Sequence, residues 1–298
     1  MRVNVRSVIP EPFSLPDASD DPLAVLATAS LIGFVSIRDH NDEIARENHS
    51  LGSGTLVRMP GDAFGVLTAA HVLDSLPRSG QLGYLTFNRQ DSLRQAKIDA
   101  GLTKKFYAPG WAPGAGVPDL GFLQIFDPDT LSAMRAQGCS FYDLEREREI
   151  KGMTSNRAAW EYIATGVVAE TRVEVPAGNG GPPRTGFTAI AGYCSQVTRL
   201  AEIHDFAVWS ALVDIERHPT TYQGVSGGGM WIIAAPDGNV AEVQRFLRGV
   251  IFFESDANEH GVRVLRVHGL EDFERLLISQ FGQPPQRVIQ GGASERSC

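Results

Sequence analysis

Three residue types in this chain, at three separated points, could together do acyl-transfer chemistry. The first is Ser226, inside Gly224-Val225-Ser226-Gly227-Gly228. Acyl transfer needs an exposed hydroxyl and nearby backbone N–H groups to hold a developing oxyanion. Glycines let the backbone turn inward with no Cβ in the way. The N–H groups of Gly224 and Ser226 are the candidate oxyanion donors. A serine nucleophile also needs a base, most often histidine. Of seven histidines, His71 stands out, because it closes the apolar run GVLTAAH and opens HVLDSL. A base belongs where a rigid element ends. Asp119 heads the apolar run LGFLQIF, behind a loop rich in proline and glycine. Its carboxylate can accept from the imidazole N–H, fixing the tautomer and stabilising the imidazolium. Each residue also has a plainer reading: a Gly/Ser hairpin turn, a capping histidine, a turn aspartate.

The same serine motif fits the G-x-S-x-G elbow of the α/β-hydrolases. That elbow requires a helix directly after the serine and the chain order serine, acid, histidine. Here GGGMWIIAAP follows and reads as a strand, and only His260 and His268 lie downstream.

The elements that must position these groups read as short strands. Apolar runs at 30–37, 54–59, 65–73, 81–87, 95–102 and 120–126 alternate with turn signals. The pattern resumes at 161–170, 186–194, 206–215, 230–236 and 246–254. Many short strands at this spacing predict an all-β protein, a barrel or a sandwich. Residues 1–22 read as a flexible arm rich in proline and aspartate. Residues 127–160 are richer in charge and helix-friendly at their start, a connection between two β halves. GLEDFERLLISQFG (269–282) carries apolar residues at helical spacing and predicts a C-terminal helix, followed by a tail.

Composition narrows the partners. Net charge is −8 over 298 residues, and an acidic surface repels phosphate backbones, so nucleic acid is not expected. The three cysteines are odd in number and widely spaced, which implies neither a disulfide framework nor a metal site. No cofactor is called for. Prolines 10, 12 and 16 interrupt any leader-like apolar run, and no run is long enough to span a membrane. The expectation is a cytoplasmic protein with no membrane association.

Four motifs in chain order carry a resemblance: Gly52-Ser53-Gly54, Thr68-Ala69-Ala70-His71, Asp119-Leu120-Gly121-Phe122-Leu123 and Gly224-Val225-Ser226-Gly227-Gly228. Together they resemble the trypsin-like, chymotrypsin-fold serine peptidases, in a bacterial cytoplasmic form. The resemblance implies two packed six-stranded antiparallel barrels, at 23–126 and 161–268, with a terminal helix in 269–298. It implies His71, Asp119 and Ser226 as a catalytic triad in the cleft, acting on protein or peptide substrates. Gly121 departs from the family's hydrophobic residue at that place. Val225 and Gly229 depart from its Asp and Pro, so activation by a newly cut N-terminus is not expected. The run of three glycines is expected to leave the oxyanion loop loose until a partner or substrate binds.

By the family pattern the primary pocket has Thr220 at its base, with Phe252, Phe253 and Glu254 along its wall. Glu254 could recruit a basic side chain, and Phe253 an apolar one. Proteolysis inside a cell calls for control by a separate regulatory protein, in a stress or defence setting. A catalytically weak scaffold that binds proteins on the same fold is the alternative.

Overall fold

Neighbouring residues on the central strands face different cores. In the computed structural model, Leu56 and Val57, Val66 and Leu67, and Phe122 and Leu123 are all buried, yet each pair splits between two clusters. Successive strand residues point to opposite faces, so both faces of this sheet are covered. That is why its strands read as continuous apolar runs rather than alternating ones. The structure describes residues 22–36, 50–87, 94–145, 160–169, 173–175, 184–187, 189–194, 196–199, 208–213, 221–234, 243–256 and 263–269.

The first half opens with a helix α1 (Pro22–Thr28) and continues with β1 (Leu31–Val35), β2 (Ser50–Met59) and β3 (Ala63–Thr68). Next come α2 (Ala70–Ser75), β4 (Gln81–Thr86), β5 (Arg94–Asp99), β6 (Thr103–Tyr107) and β7 (Gly121–Ile125). These strands form one antiparallel sheet in the order β5-β4-β1-β2-β3-β7-β6. Its two ends, β5 and β6, are separated by only Ala100–Leu102, so the sheet curls back on itself. Helix α3 (Pro128–Ala136) and a short strand β8 (Tyr142–Asp143), parallel to β2, lie in the connecting segment.

The second half contains β9 (Trp160–Val167), a separate hairpin β10–β11 (Val173–Val175, Arg184–Gly186), β12 (Ala189–Tyr193) and β13 (Gln196–Arg199). It ends with β14 (Val208–Val213), β15 (Gly229–Ala234), β16 (Gln244–Glu254) and β17 (Arg263–Gly269). The second sheet runs β12-β9-β15-β16-β17-β14-β13, and its two ends are again consecutive in the chain. The protein is mostly β, as its sequence predicts.

One apolar layer lies between the sheets, with Val57, Leu67 and Phe122 on one side and Ile163, Trp231 and Leu247 on the other. Arg245 crosses it, donating to the Leu26 carbonyl and to the hydroxyls of Ser30 (2.9 Å) and Ser140 (3.0 Å). Its guanidinium lies 4.9 Å from the centre of the Trp231 ring.

Several expectations need amending. Leu23–Thr28 is helix, with Pro22 at its start, where a missing N–H costs nothing. The expected runs do not include β6, β8, β10, β11, β13 or β17. In TKKFY and RVLRVHG, charged residues interrupt the apolar pattern. Gly269 ends β17 rather than opening a helix, and the rest of the expected C-terminal helix lies outside the described residues, as does the arm at 1–21. No helix among the described residues is long and apolar enough to cross a membrane.

Candidate active site

His71 sits in the first turn of α2, one residue past the buried pair Ala69-Ala70. The turn from β3 into α2 is anchored by Thr68, whose hydroxyl donates to the Ser53 carbonyl at 2.6 Å. The His71 side chain is 46% exposed, open to a reactant. Its Nδ1 is hydrogen-bonded to Asp119 Oδ2, and its backbone N–H donates to Asp119 Oδ1 at 2.9 Å. Both carboxylate oxygens of Asp119 therefore hold one residue, and the ring is fixed with Nε2 turned away from the acid. Gly121 lets strand β7 pass under α2. A Cβ there would lie 2.5 Å from Leu73 Cδ1, so the hydrophobic residue of the family pattern has no room.

Ser226 lies on the loop that enters β15. Two successive turns build this loop. The Val225 N–H donates to the Tyr222 carbonyl at 3.0 Å, and the Gly228 N–H donates to the Val225 carbonyl at 2.8 Å. In each, the third residue is a glycine with positive φ, Gly224 at 95° and Gly227 at 91°. Positive φ at that position, with a non-glycine before it at negative φ, is the type II pattern. Val225 belongs to both turns and is 1% exposed, packed in the core of the second sheet. Ser226 stands at the corner of the second turn.

The backbone donors of this loop are nearly all spent. Tyr222 N–H reaches Glu254 (2.9 Å), Gln223 N–H reaches Thr221 Oγ1 (3.1 Å), and Gly227 N–H reaches the Ile251 carbonyl (2.7 Å). With the two turn bonds, five of the seven N–H groups from 222 to 228 are used. The two with no acceptor among the described residues belong to Gly224 and Ser226. The Gln223 carbonyl accepts from Ala169 N–H at 2.7 Å. A trans peptide is planar, so the Gly224 N–H points the opposite way, away from Ala169.

The glycine run is closely packed. A Cβ on Gly227 would lie 2.0 Å from the Ser53 carbonyl oxygen, and one on Gly228 would lie 1.9 Å from the Thr165 carbonyl oxygen. These glycines are sites of close backbone approach, and both bond to Ile251. These contacts and bonds tie Gly227 and Gly228 to both sheets.

Ser53 joins the serine loop to the histidine. Its hydroxyl donates to the Gly224 carbonyl at 2.7 Å and accepts from Val167 N–H at 2.8 Å. Its N–H donates to the Ser226 carbonyl at 2.8 Å. A Cβ on Gly52 would lie 2.6 Å from Val72 Cγ2 and 3.2 Å from the Ser226 carbonyl oxygen. Ser226 and the residue after His71 thus flank the same point on β2.

The expected pocket residues fare differently. Thr220 lies outside the described residues. Phe253 is 47% exposed with the Arg266 guanidinium over its ring. Phe252 stacks on His268. Glu254 is not a free recognition charge. Its carboxylate accepts from Tyr222 N–H with both oxygens and pairs with Arg263 at 2.8 Å. Among the described residues there is no cluster of three or more metal-ligating side chains.

Sequence reasoning did not single out Ser53 beyond its place in a motif, nor His268. On β17 His268 lies two residues after the exposed Arg266 and so on the same face by strict alternation, which would turn it outward. It is instead 4% exposed. Compared with family models and with curated protein sequences, the chain matches none.

Proposed function

We propose that this chain is a serine endopeptidase that hydrolyses peptide bonds in protein substrates. One observation carries the reading: in a loop whose other backbone donors are all engaged, the two N–H groups left open are those of Ser226 and of the residue two before it. An oxyanion site consists of such a pair, held without reorganisation and free of internal acceptors. The paired His71 and Asp119 lie across β2 from the same loop.

In this reading His71 takes the proton of the Ser226 hydroxyl as the oxygen attacks the scissile carbonyl. The Gly224 and Ser226 N–H groups hold the oxyanion of the tetrahedral intermediate. Asp119 keeps the ring in the required tautomer and offsets the positive charge it gains. His71 then gives the proton to the leaving amine. Water repeats the sequence in reverse on the acyl-enzyme.

The strand orders support a finer fold. If β5 with β6 and β12 with β13 each count as one interrupted strand, both sheets follow the ring order 1-2-3-6-5-4. Two six-stranded barrels account for that shared order, with His71 and Asp119 from one and Ser226 from the other. Buried Val225 packs in the core, and the turn bonds, Ser53, Glu254 and Ile251 hold the loop around it, so no newly cut N-terminus is needed to shape it. Control of the activity then falls to a separate protein.

A fluorophosphonate probe tests the reading. Labelling of the wild-type chain that is lost in Ser226→Ala and slowed in His71→Ala is the expected result. A correctly folded wild-type chain that never labels would sink it.

A further inference from the structure

Among the described residues, His268 is the one histidine that this chemistry leaves unused, and it is buried beside the acid. Its Nε2 accepts from the backbone N–H of Asp119 at 3.0 Å. A ring nitrogen that accepts carries no proton, so neutral His268 has its proton on Nδ1. The ring stacks on Phe252, with centroids 3.9 Å apart and planes 17° apart. In the sheet it is paired with Val208 of β14 on one side and Val250 of β16 on the other.

The bond joins the two sheets at a telling place. Asp119 precedes β7 in the first sheet, and His268 belongs to β17 in the second. Strand β17 pairs with β16, where Val267 faces Ile251. Ile251 in turn holds Gly227 and Gly228, the residues directly after Ser226, through its carbonyl and its N–H. A path of three elements thus runs from the acid to the nucleophile. The Asp119 carboxylate is fixed to His71, and the Asp119 backbone is fixed to the sheet that carries Ser226.

From this geometry we infer that His268 is a positioning residue, setting the His71–Asp119 pair in register with the Ser226 loop through its bond to the Asp119 N–H. The inference rests on the peptidase reading for its effect on rate, and on geometry alone for its effect on Asp119. Burial favours the neutral form the bond requires, pushing the imidazole down to about 4.

The test compares full-length wild type, His268→Gln and His268→Phe. Glutamine keeps an acceptor where Nε2 stands, while phenylalanine keeps only the ring and its stack. Two readouts are taken: the rate of fluorophosphonate labelling, and the Nδ1 proton resonance of His71, which reports its bond to Asp119. His268→Phe is expected to slow labelling by about 10–100-fold, the scale of a lost buried hydrogen bond, and to shift or broaden the resonance. His268→Gln is expected to restore both. Equal behaviour of all three proteins overturns the inference. A wild type that never labels, but whose His71 resonance changes only in His268→Phe, removes the peptidase reading and leaves the positioning role standing. Should His268→Phe fail to fold, the ring nitrogen shifts of wild type decide: a protonated Nε2 at neutral pH overturns the inference, and an unprotonated one coupled to the Asp119 amide upholds it.

Discussion

The Ser53 hydroxyl donates to the carbonyl of Gly224, a residue 171 positions away in the chain, at 2.7 Å. The same oxygen accepts from the buried N–H of Val167. One small side chain therefore closes two backbone groups of the second sheet from a strand of the first. Ser53→Ala leaves both without a partner, and a buried unsatisfied group costs about 1–3 kcal/mol. Denaturant unfolding of the variant should show a loss in that range at an unchanged m-value. Probe labelling should slow as well, because Gly224 carries one of the two open donors. A variant with wild-type stability would show that the hydroxyl is replaced by water without cost.

The three consecutive glycines make a second prediction. Gly228→Ala sets a Cβ 1.9 Å from the Thr165 carbonyl oxygen and 2.9 Å from that of Val225. Both obstacles are backbone, which cannot rotate aside. Overpacking of this kind costs about 1–3 kcal/mol or more, and here it displaces the turn that holds Ser226. Gly80→Ala is the contrast: Gly80 has a positive φ, which Gly228 does not, but nothing lies within 4 Å of the added carbon. Thermal unfolding should place Gly228→Ala well below Gly80→Ala, and only the former should lose labelling. Equal effects would mean that the close approach at Gly228 costs no more than the strained backbone that alanine adopts at position 80.

What the sequence made legible follows from how local each signal was. Thr68-Ala69-Ala70-His71 and Asp119 each sit at the junction of an apolar run with a turn, so residue types alone mark them. The two type II turns around Ser226 are equally local, because each demands a glycine at one fixed position. Ser53 and His268 are different. Their partners, Gly224 and Asp119, lie in the opposite half of the fold, and no spacing encodes a contact across two sheets. Glu254 was legible as a charge near the pocket wall but not as a charge already neutralised, since Arg263 meets it only through the pairing of β16 with β17. Strands β6 and β17 were lost for a similar reason, because lysines and arginines there lie on faces whose exposure only the assembled sheet determines.

Acid should weaken the fold through His268. Burial holds its imidazole at about 4, below the ordinary 6.5, while the Asp119 carboxylate opposes part of that shift. A folded value below the unfolded one means that the unfolded chain takes up the proton first. Stability from this group is therefore intact above pH 6.5, falls as pH drops from 6.5 to 4, and levels off below. The gap corresponds to about 3 kcal/mol as an order of magnitude. Urea midpoints for wild type and His268→Gln across this window should diverge, with wild type declining more steeply. Parallel curves would show that the imidazole titrates near its ordinary value.

Glu254 offers the sharpest contrast between a specificity charge and a structural one. Both its oxygens accept from the Tyr222 N–H, at 2.9 and 3.0 Å, and Arg263 occupies the rest of its charge. With side chains 16% and 20% exposed, the pair is screened from solvent, and a substrate lysine or arginine would have to displace Arg263 to reach the carboxylate. Tyr222 opens the first of the two turns that present Ser226, so the pair anchors that loop to β16 and β17. Glu254→Gln leaves Arg263 without its counter-charge and weakens the hold on Tyr222, at a cost of about 1–3 kcal/mol. Cleavage of a peptide library by wild type should show no preference for basic residues before the cut. Glu254→Gln should slow cleavage of all peptides alike and lower the unfolding midpoint. A variant of unchanged stability that loses only the peptides with lysine or arginine would instead make Glu254 the recognition group.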